Sequence, residues 1–153
     1  MTGPARPGDA GELWTLQRAA YLPEAERHGS FTLPPLTETL DELRAALATA
    51  TVLVARLGHR LVGSVRGEQT QDGAWFVGRL LVAPDQQGRG LGGALMAQME
   101  ALAPAGTRTL RLVTGIHSDT NLAFYRRRGY VEVDRRDHPG APVVVLEKPL
   151  PGA

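Results

Sequence analysis

Apolar residues recur at helical spacing at Leu13, Leu16 and Ala20, behind an Asp9 placed to cap the helix they predict. Pro23 and the stretch from Gly29 to Pro35 read as the break of that helix and the loop after it. Thr39-x-x-Glu42 fits a capping box, and Leu40, Leu43 and Leu47 follow on one helical face. The pattern then changes period. Val52 to Ala55 runs apolar as a strand, Gly58 marks a turn, and Leu61 to Arg66 reads as the hairpin partner. Asp72-Gly73 predicts a second turn, leading into a strand from Trp75 to Val82. Leu91 to Leu102 is amphipathic, with Leu91, Ala94, Leu95, Met99 and Leu102 expected on its buried side and Pro104 and Gly106 ending it. Leu110 to Val113 alternates as a strand, and Ser118 or Asp119 caps a short helix that stops at Gly129. Tyr130 to Val133 and Val143 to Leu146 are the last two strands, around a loop rich in Pro and Gly.

Strands joined by short turns must pair antiparallel, whereas the two flanking the Leu91 helix can be parallel because a helix crosses between them. The expected class is therefore α+β, with a mixed, mostly antiparallel sheet. At 153 residues, 1–153 is read as a single domain able to bury its own core. No apolar run is long enough to span a bilayer, and Met1 to Gly11 lacks the apolar region of a secretion signal. The chain has no cysteine, which excludes disulfides, thiolate metal sites and a cysteine nucleophile and fits a cytoplasmic protein. A net charge of +1 argues against a nucleic-acid binder. The charge is uneven: residues 1–50 carry a net of −3 and residues 51–153 a net of +4. This suggests an anionic cofactor on the C-terminal part and a cationic ligand near the N-terminal part, although solvated surface charge gives the same count. No two of His28, His59, His117 and His138 share a metal-ligand spacing with an acid, so no metal is expected.

The chemistry concentrates in Pro84-Asp85-Gln86-Gln87-Gly88-Arg89-Gly90-Leu91-Gly92-Gly93, between strand and helix. A glycine-rich turn at a helix start leaves N–H groups unpaired, and the helix dipole adds positive charge, so the turn suits a phosphate. Gly88 to Gly93 contains G-x-G-x-x-G, the dinucleotide fingerprint. Against a dinucleotide stand the hairpin that precedes it, the Pro84 to Gln87 spacer, and the absence of an acid at the end of the next strand, which reads Leu112-Val113-Thr114-Gly115. A P-loop is excluded, since no Gly-Lys-Ser/Thr follows.

Read instead as Gln87-x-x-Gly90-x-Gly92 after Leu80-Leu81-Val82-x-Pro84, the stretch resembles the coenzyme A motif of the GNAT superfamily of N-acetyltransferases. Asn121-x-x-x-Tyr125 followed by Arg128-Gly129-Tyr130 resembles a second family motif, and the element order matches from the first helix to Leu146. The resemblance implies an αβα-layered fold with about six or seven strands and helices on both faces. Its first edge strand would be short or absent here, because Met1 to Arg6 is poor in apolar residues.

The resemblance also implies acetyl-CoA as cosubstrate and transfer of its acetyl group to a primary amine, by direct attack in a ternary complex. The amine is expected to belong to a small molecule, with no nucleic acid or membrane as partner and a homodimer admissible. Leu80, Leu81 and Val82 would pair with the pantetheine arm and supply N–H donors to the oxyanion. Gln87, Gly88, Arg89, Gly90, Leu91 and Gly92 would hold the diphosphate, with Arg128, or its neighbours Arg126 and Arg127, on the remaining phosphate. Asn121 would bind the cofactor arm one helical turn from Tyr125, the candidate general acid. A tyrosine stays protonated at neutral pH and can serve a departing thiolate. Candidate bases are His117, Glu68 and Glu26; Glu24 and His28 belong to the same presumed loop as Glu26. The alternative from another class is an acetyl-CoA-binding sensor or docking module without transfer.

Overall fold

The computed structural model describes residues 1–138 and 141–151, so the Pro139-Gly140 part of the expected loop and the last two residues lie outside it. The chain runs β1 (Thr2–Pro4), a 3-10 turn (Pro7–Asp9), α1 (Ala10–His28), α2 (Pro34–Thr37), α3 (Leu40–Thr49), β2 (Thr51–Leu57) and β3 (Arg60–Gln69). It continues through β4 (Trp75–Val82), a second 3-10 turn (Pro84–Gln86), α4 (Leu91–Ala101), β5 (Thr109–Gly115), α5 (Asp119–Arg127), β6 (Val131–His138) and β7 (Ala141–Pro149). The strands form one seven-stranded sheet in the order β1-β2-β3-β4-β5-β7-β6. Among the described residues only the β4–β5 pair is parallel. The mixed, mostly antiparallel sheet of the α+β class is thus present, and the edge strand at the N-terminus exists in short form.

The side-chain alternation of β3 places helices on opposite faces. A Cβ on Gly67 would meet Met99 of α4 at 2.5 Å and Trp75 at 2.6 Å, and one on Gly63 would meet Leu95 of α4 at 3.0 Å. Both positions are therefore glycine so that α4 can lie close to the sheet. Arg66, between them in the alternation, points the other way and pairs with Glu38 beside α1 and α2. On the α4 side Leu95, Met96 and Met99 are buried. Ala94 and Leu102, expected inward, are exposed, because the sheet meets α4 along the Leu95–Met99 ridge rather than a face centred on Leu91.

Three local expectations change. Pro23 lies inside α1 rather than ending it. The turn around it is held by tertiary contacts: Ala25 is fully buried, and Glu24 and His28 both reach residues beyond β5. A proline in a helix interior is costly but tolerated where packing over-determines the turn. Asp9 and Ser118 occupy N-cap positions yet make no side-chain cap bond. Asp9 instead accepts from the Arg6 amide and from Arg56, at 2.7 and 2.5 Å. Ser118 donates to Glu24. At Thr39 the capping box forms as read, with Glu42 N to Thr39 Oγ1 at 3.1 Å and Thr39 N to Glu42 Oε1 at 2.8 Å.

Candidate functional site

β4 and β5 pair only at Trp75↔Leu110 and Phe76↔Arg111. Beyond Phe76, β4 therefore carries main-chain groups with no strand partner on its β5 side, and Leu80, Leu81 and Val82 lie on that open edge. A β-bulge bends the strand just before them. Gly78 pairs with Arg66 and Leu81 with Ser64, so Arg79 and Leu80 together oppose Val65. Arg79 takes the left-handed conformation, φ 51°, alone among the non-glycine residues described.

The open edge leads directly into the turn. Gly88 and Gly90 have φ of 79° and 80°, a region that disfavours side chains, and neither has a neighbour within 4 Å of where a Cβ would stand. Gly90 is the N-cap of α4 and supplies no side-chain acceptor, which leaves the first amides of the helix without a capping group. The preceding 3-10 turn is tied down by Arg60, which holds Asp85 bidentately at 2.8 and 2.6 Å. Gln87, Gly88, Arg89 and Gly90 are exposed, while Leu91 and Gly92 are half-buried.

Arg128 lies at the end of α5, distant in sequence from this turn, and the fold brings it there. Its guanidinium stacks on Phe124 at 3.6 Å and bonds to the Phe124 carbonyl at 3.1 Å. It occupies the space a side chain at position 93 would need, and Gly93 leaves that space open. A cation is thus fixed beside the uncapped end of α4. Arg126 and Arg127 are exposed, and Arg89 makes no ion pair among the described residues.

Tyr125 is buried on the inner side of α5, its ring edge-on to Phe124 and Tyr130 at 5.2 and 6.0 Å. Burial pushes its phenol well above the ordinary tyrosine value, and Tyr21 and Glu24 push the same way. Tyr21 of α1 had no sequence signal, yet its hydroxyl donates to the Leu80 carbonyl at 3.0 Å. Burial raises its pKa to about 12. Asn121 does stand beside this cluster, but its amide faces Glu24, at 3.5 Å.

Glu24 and His28 lie on α1, not in a loop. The Glu24 carboxylate accepts from Ser118 and from Arg27. His28 fills the space over Gly115, where any side chain would collide with its ring, and its Nε2 accepts the His117 amide at 3.2 Å. The His117 ring stands 5.5 Å from that of His28 and is exposed. Glu68 is exposed on β3 and Glu26 is exposed on α1. Trp75 is core: its indole N–H donates to the Met99 carbonyl at 3.0 Å.

A second set of residues was missed in the sequence. Gln17, nearly fully buried, donates to the Pro35 carbonyl and to Glu38, both at 3.0 Å. Arg66 holds Glu38 bidentately at 2.9 Å, and Arg79 stands 3.8 Å from the same carboxylate. Burial pushes the Glu38 carboxyl up, but its bonds to Arg66 and Gln17 outweigh this and hold it below the usual range. The available signal was Arg79 itself, a charge inside an otherwise apolar strand beside a glycine.

Among known proteins, the sequence profile of the acetyltransferase (GNAT) domain matches residues 48–132. No curated protein matches the chain in sequence. A Klebsiella pneumoniae structure whose name places it among acyl-CoA N-acyltransferases is 30% identical, covering 98% of this chain and 97% of its own, with a TM-score of 0.70. The fold also matches the PaiA N-acetyltransferase of Thermoplasma acidophilum, solved with coenzyme A, at 16% identity, 98% of each chain and a TM-score of 0.82. Salmonella typhimurium yncA, solved with acetyl-CoA, is 13% identical over 100% of this chain and 95% of its own, with a TM-score of 0.77. With its family profile spanning more than half the sequence and its sheet splayed at the β4–β5 junction, the chain belongs to the GNAT family and is an N-acetyltransferase.

Proposed function

We propose that this enzyme moves the acetyl group of acetyl-CoA to a primary amine of a small molecule within a ternary complex. The observation that carries this reading is the unpaired edge of β4 beyond Phe76 running into the uncapped, glycine-turned start of α4. The residues fit the cosubstrate. Amides from Gln87 to Gly92 suit a diphosphate, with Arg128 beside them, and the Leu80–Val82 edge suits the amides of an extended arm. Acetyl-CoA supplies an acetyl group already activated as a thioester.

In the reaction a bond forms from the amine nitrogen to the acetyl carbon while the carbon–sulfur bond breaks. One proton leaves the nitrogen and one is delivered to the sulfur. Tyr125, kept protonated by burial, is the donor in this reading. Glu24, the carboxylate facing both phenols, takes the amine's proton. His117, Glu68 and Glu26 lie on the exposed surface and are not assigned that role.

Calorimetry with acetyl-CoA and with CoA tests the binding half, and thiol release over a broad amine panel tests the transfer. Tyr125→Phe should lower turnover about 100-fold while leaving CoA affinity unchanged. Equal turnover would remove Tyr125 from the mechanism. No heat with either nucleotide would sink the whole reading.

A further inference from the structure

An open cavity of about 300 Å³ lies on the α1–α2 face, lined by Thr32, Pro34, Thr37, Glu38, Glu42 and Arg79. Its size suits a small ligand. Its position is set by the bulge in β4. Regular alternation would put Arg79 on the α4 face with Trp75 and Val77. Because Arg79 and Leu80 together oppose Val65, the Arg79 side chain turns instead toward Glu38 and the cavity. The strained φ of 51° is the backbone cost of that re-aiming.

Arg79 is the group in this cavity whose charge is least satisfied. Its Nε is buried with no hydrogen-bond partner among the described residues. Its nearest carboxylate, Glu38, stands at 3.8 Å and is already held by Arg66 through two bonds of 2.9 Å and by Gln17 at 3.0 Å. Glu42 at the rim is exposed and spends one oxygen on the Thr39 amide. Glu68, the other carboxylate within electrostatic reach, is exposed and screened by water. Burial disfavours the Arg79 charge, and Tyr21 and Glu38 offset this only in part. The half-buried set of Arg66, Glu38 and Arg79 therefore carries one positive charge in excess. The acidic bias of residues 1–50 pointed toward a cationic ligand, and Glu38 and Glu42 line this cavity too, but Glu38 is taken up by Arg66 and Gln17 and Glu42 is exposed, which leaves Arg79 as the lining charge short of a partner.

Arg79 is also next to Leu80, whose carbonyl is fixed by Tyr21 on the edge assigned to the cosubstrate arm. A planar guanidinium fork matches a carboxylate. We infer that this cavity is the acceptor subsite and that Arg79 holds a carboxylate there, so that the substrates are amino carboxylates acetylated on nitrogen. This assignment rests on the acetyl-transfer reading above and adds the acceptor class to it.

The test is thiol release from acetyl-CoA with ω-amino acids of increasing length, starting from glycine, each beside its own carboxamide. For at least one length, kcat/KM for the acid should exceed that for the amide by roughly 10- to 100-fold, the range of a lost charge-assisted hydrogen bond. Arg79→Gln should bring that ratio close to one. Arg79→Lys, which keeps the charge but loses the fork, should lower it in part. Calorimetry with acetyl-CoA should give the same affinity for wild type and both variants. Transfer to other amines with no preference for any acid overturns the carboxylate assignment and leaves the acetyltransferase reading standing. So does a preference that survives unchanged in either variant. The wild-type panel and Arg79→Lys keep the test decisive if Arg79→Gln does not fold. Absence of heat with acetyl-CoA removes the acetyl-transfer reading, and this assignment with it.

Discussion

From Gln87 to Gly92 every second residue is glycine, and the chain offers its main-chain amides. Around Arg79 it offers side chains drawn from α1, α2, β3 and β4, with Arg66 and Glu38 separated by 28 positions in sequence. The first region works by what it leaves out: Gly88 and Gly90 take positive φ, Gly90 provides no cap, and Gly93 leaves room for Arg128. The second works by what it brings together, namely Gln17, Glu38, Arg66 and Arg79. A site made of backbone is written in consecutive letters, because turn geometry is local. A site made of charged side chains depends on register, bulges and helix placement, and no short window of sequence contains it.

The sharpest way to break the comparison is to give the turn a side chain. Gly90→Asp puts a carboxylate at the uncapped helix end and a Cβ at φ 80°. It should weaken acetyl-CoA binding by more than about 100-fold through charge repulsion at the dipole end. Read by calorimetry, retained affinity would move the phosphate site elsewhere. Arg79 variants should not change that affinity, so the pair of measurements separates the two regions.

A subtler change tests whether Arg128 belongs to the turn. A Cβ at position 93 collides with the far end of the Arg128 side chain, which can swing away at little cost. Gly93→Ala should therefore fold well and gain up to about 1 kcal/mol in helix stability. CoA affinity should fall roughly tenfold, the size of one displaced charge-assisted bond. Unchanged affinity together with a raised Tm would show that Arg128 is only a helix-end residue stacked on Phe124.

The same distinction explains what the sequence made legible. Element order, the mixed sheet and the glycine turn could be read because each rests on spacing or on a few adjacent residues. Thr39 and Glu42 formed their capping box because both partners lie within one turn. Asp9 and Ser118 did not cap, because Arg56 and Glu24 claim them from 47 and 94 positions away. Pro23 misled for the same reason: contacts from Glu24, Ala25 and His28 to distant residues hold the helix through it. Around the candidate site the motif singled out Tyr125 and Arg128, while the placement of Tyr21, Glu38 and the turned Arg79 depended on packing and on a bulge that no periodicity announces.

Tyr21 ties α1 to the strand that leads from the second region to the first, and it carries the smallest expected effect. Its hydroxyl, on α1, donates to the Leu80 carbonyl on the open edge of β4, next to Arg79, at 3.0 Å. Tyr21→Phe removes one hydrogen bond, so urea unfolding near pH 8 should show a loss of about 1 kcal/mol. The pH dependence checks the burial of the phenol. Burial raises the folded phenol to about 12, above its ordinary 10.0. A group raised in the folded state contributes in full below its unfolded pKa and loses that contribution as pH climbs toward the folded value. The gap between wild type and Tyr21→Phe should therefore hold up to about pH 10, then close and reverse sign before pH 12, because a rise of about two pKa units outweighs about 1 kcal/mol. Tyr125 and Tyr130 are raised too, but they are present in both proteins and cancel in the difference. A gap that stays constant across this range would mean that the folded Tyr21 phenol titrates where the unfolded one does, so that burial does not hold its proton.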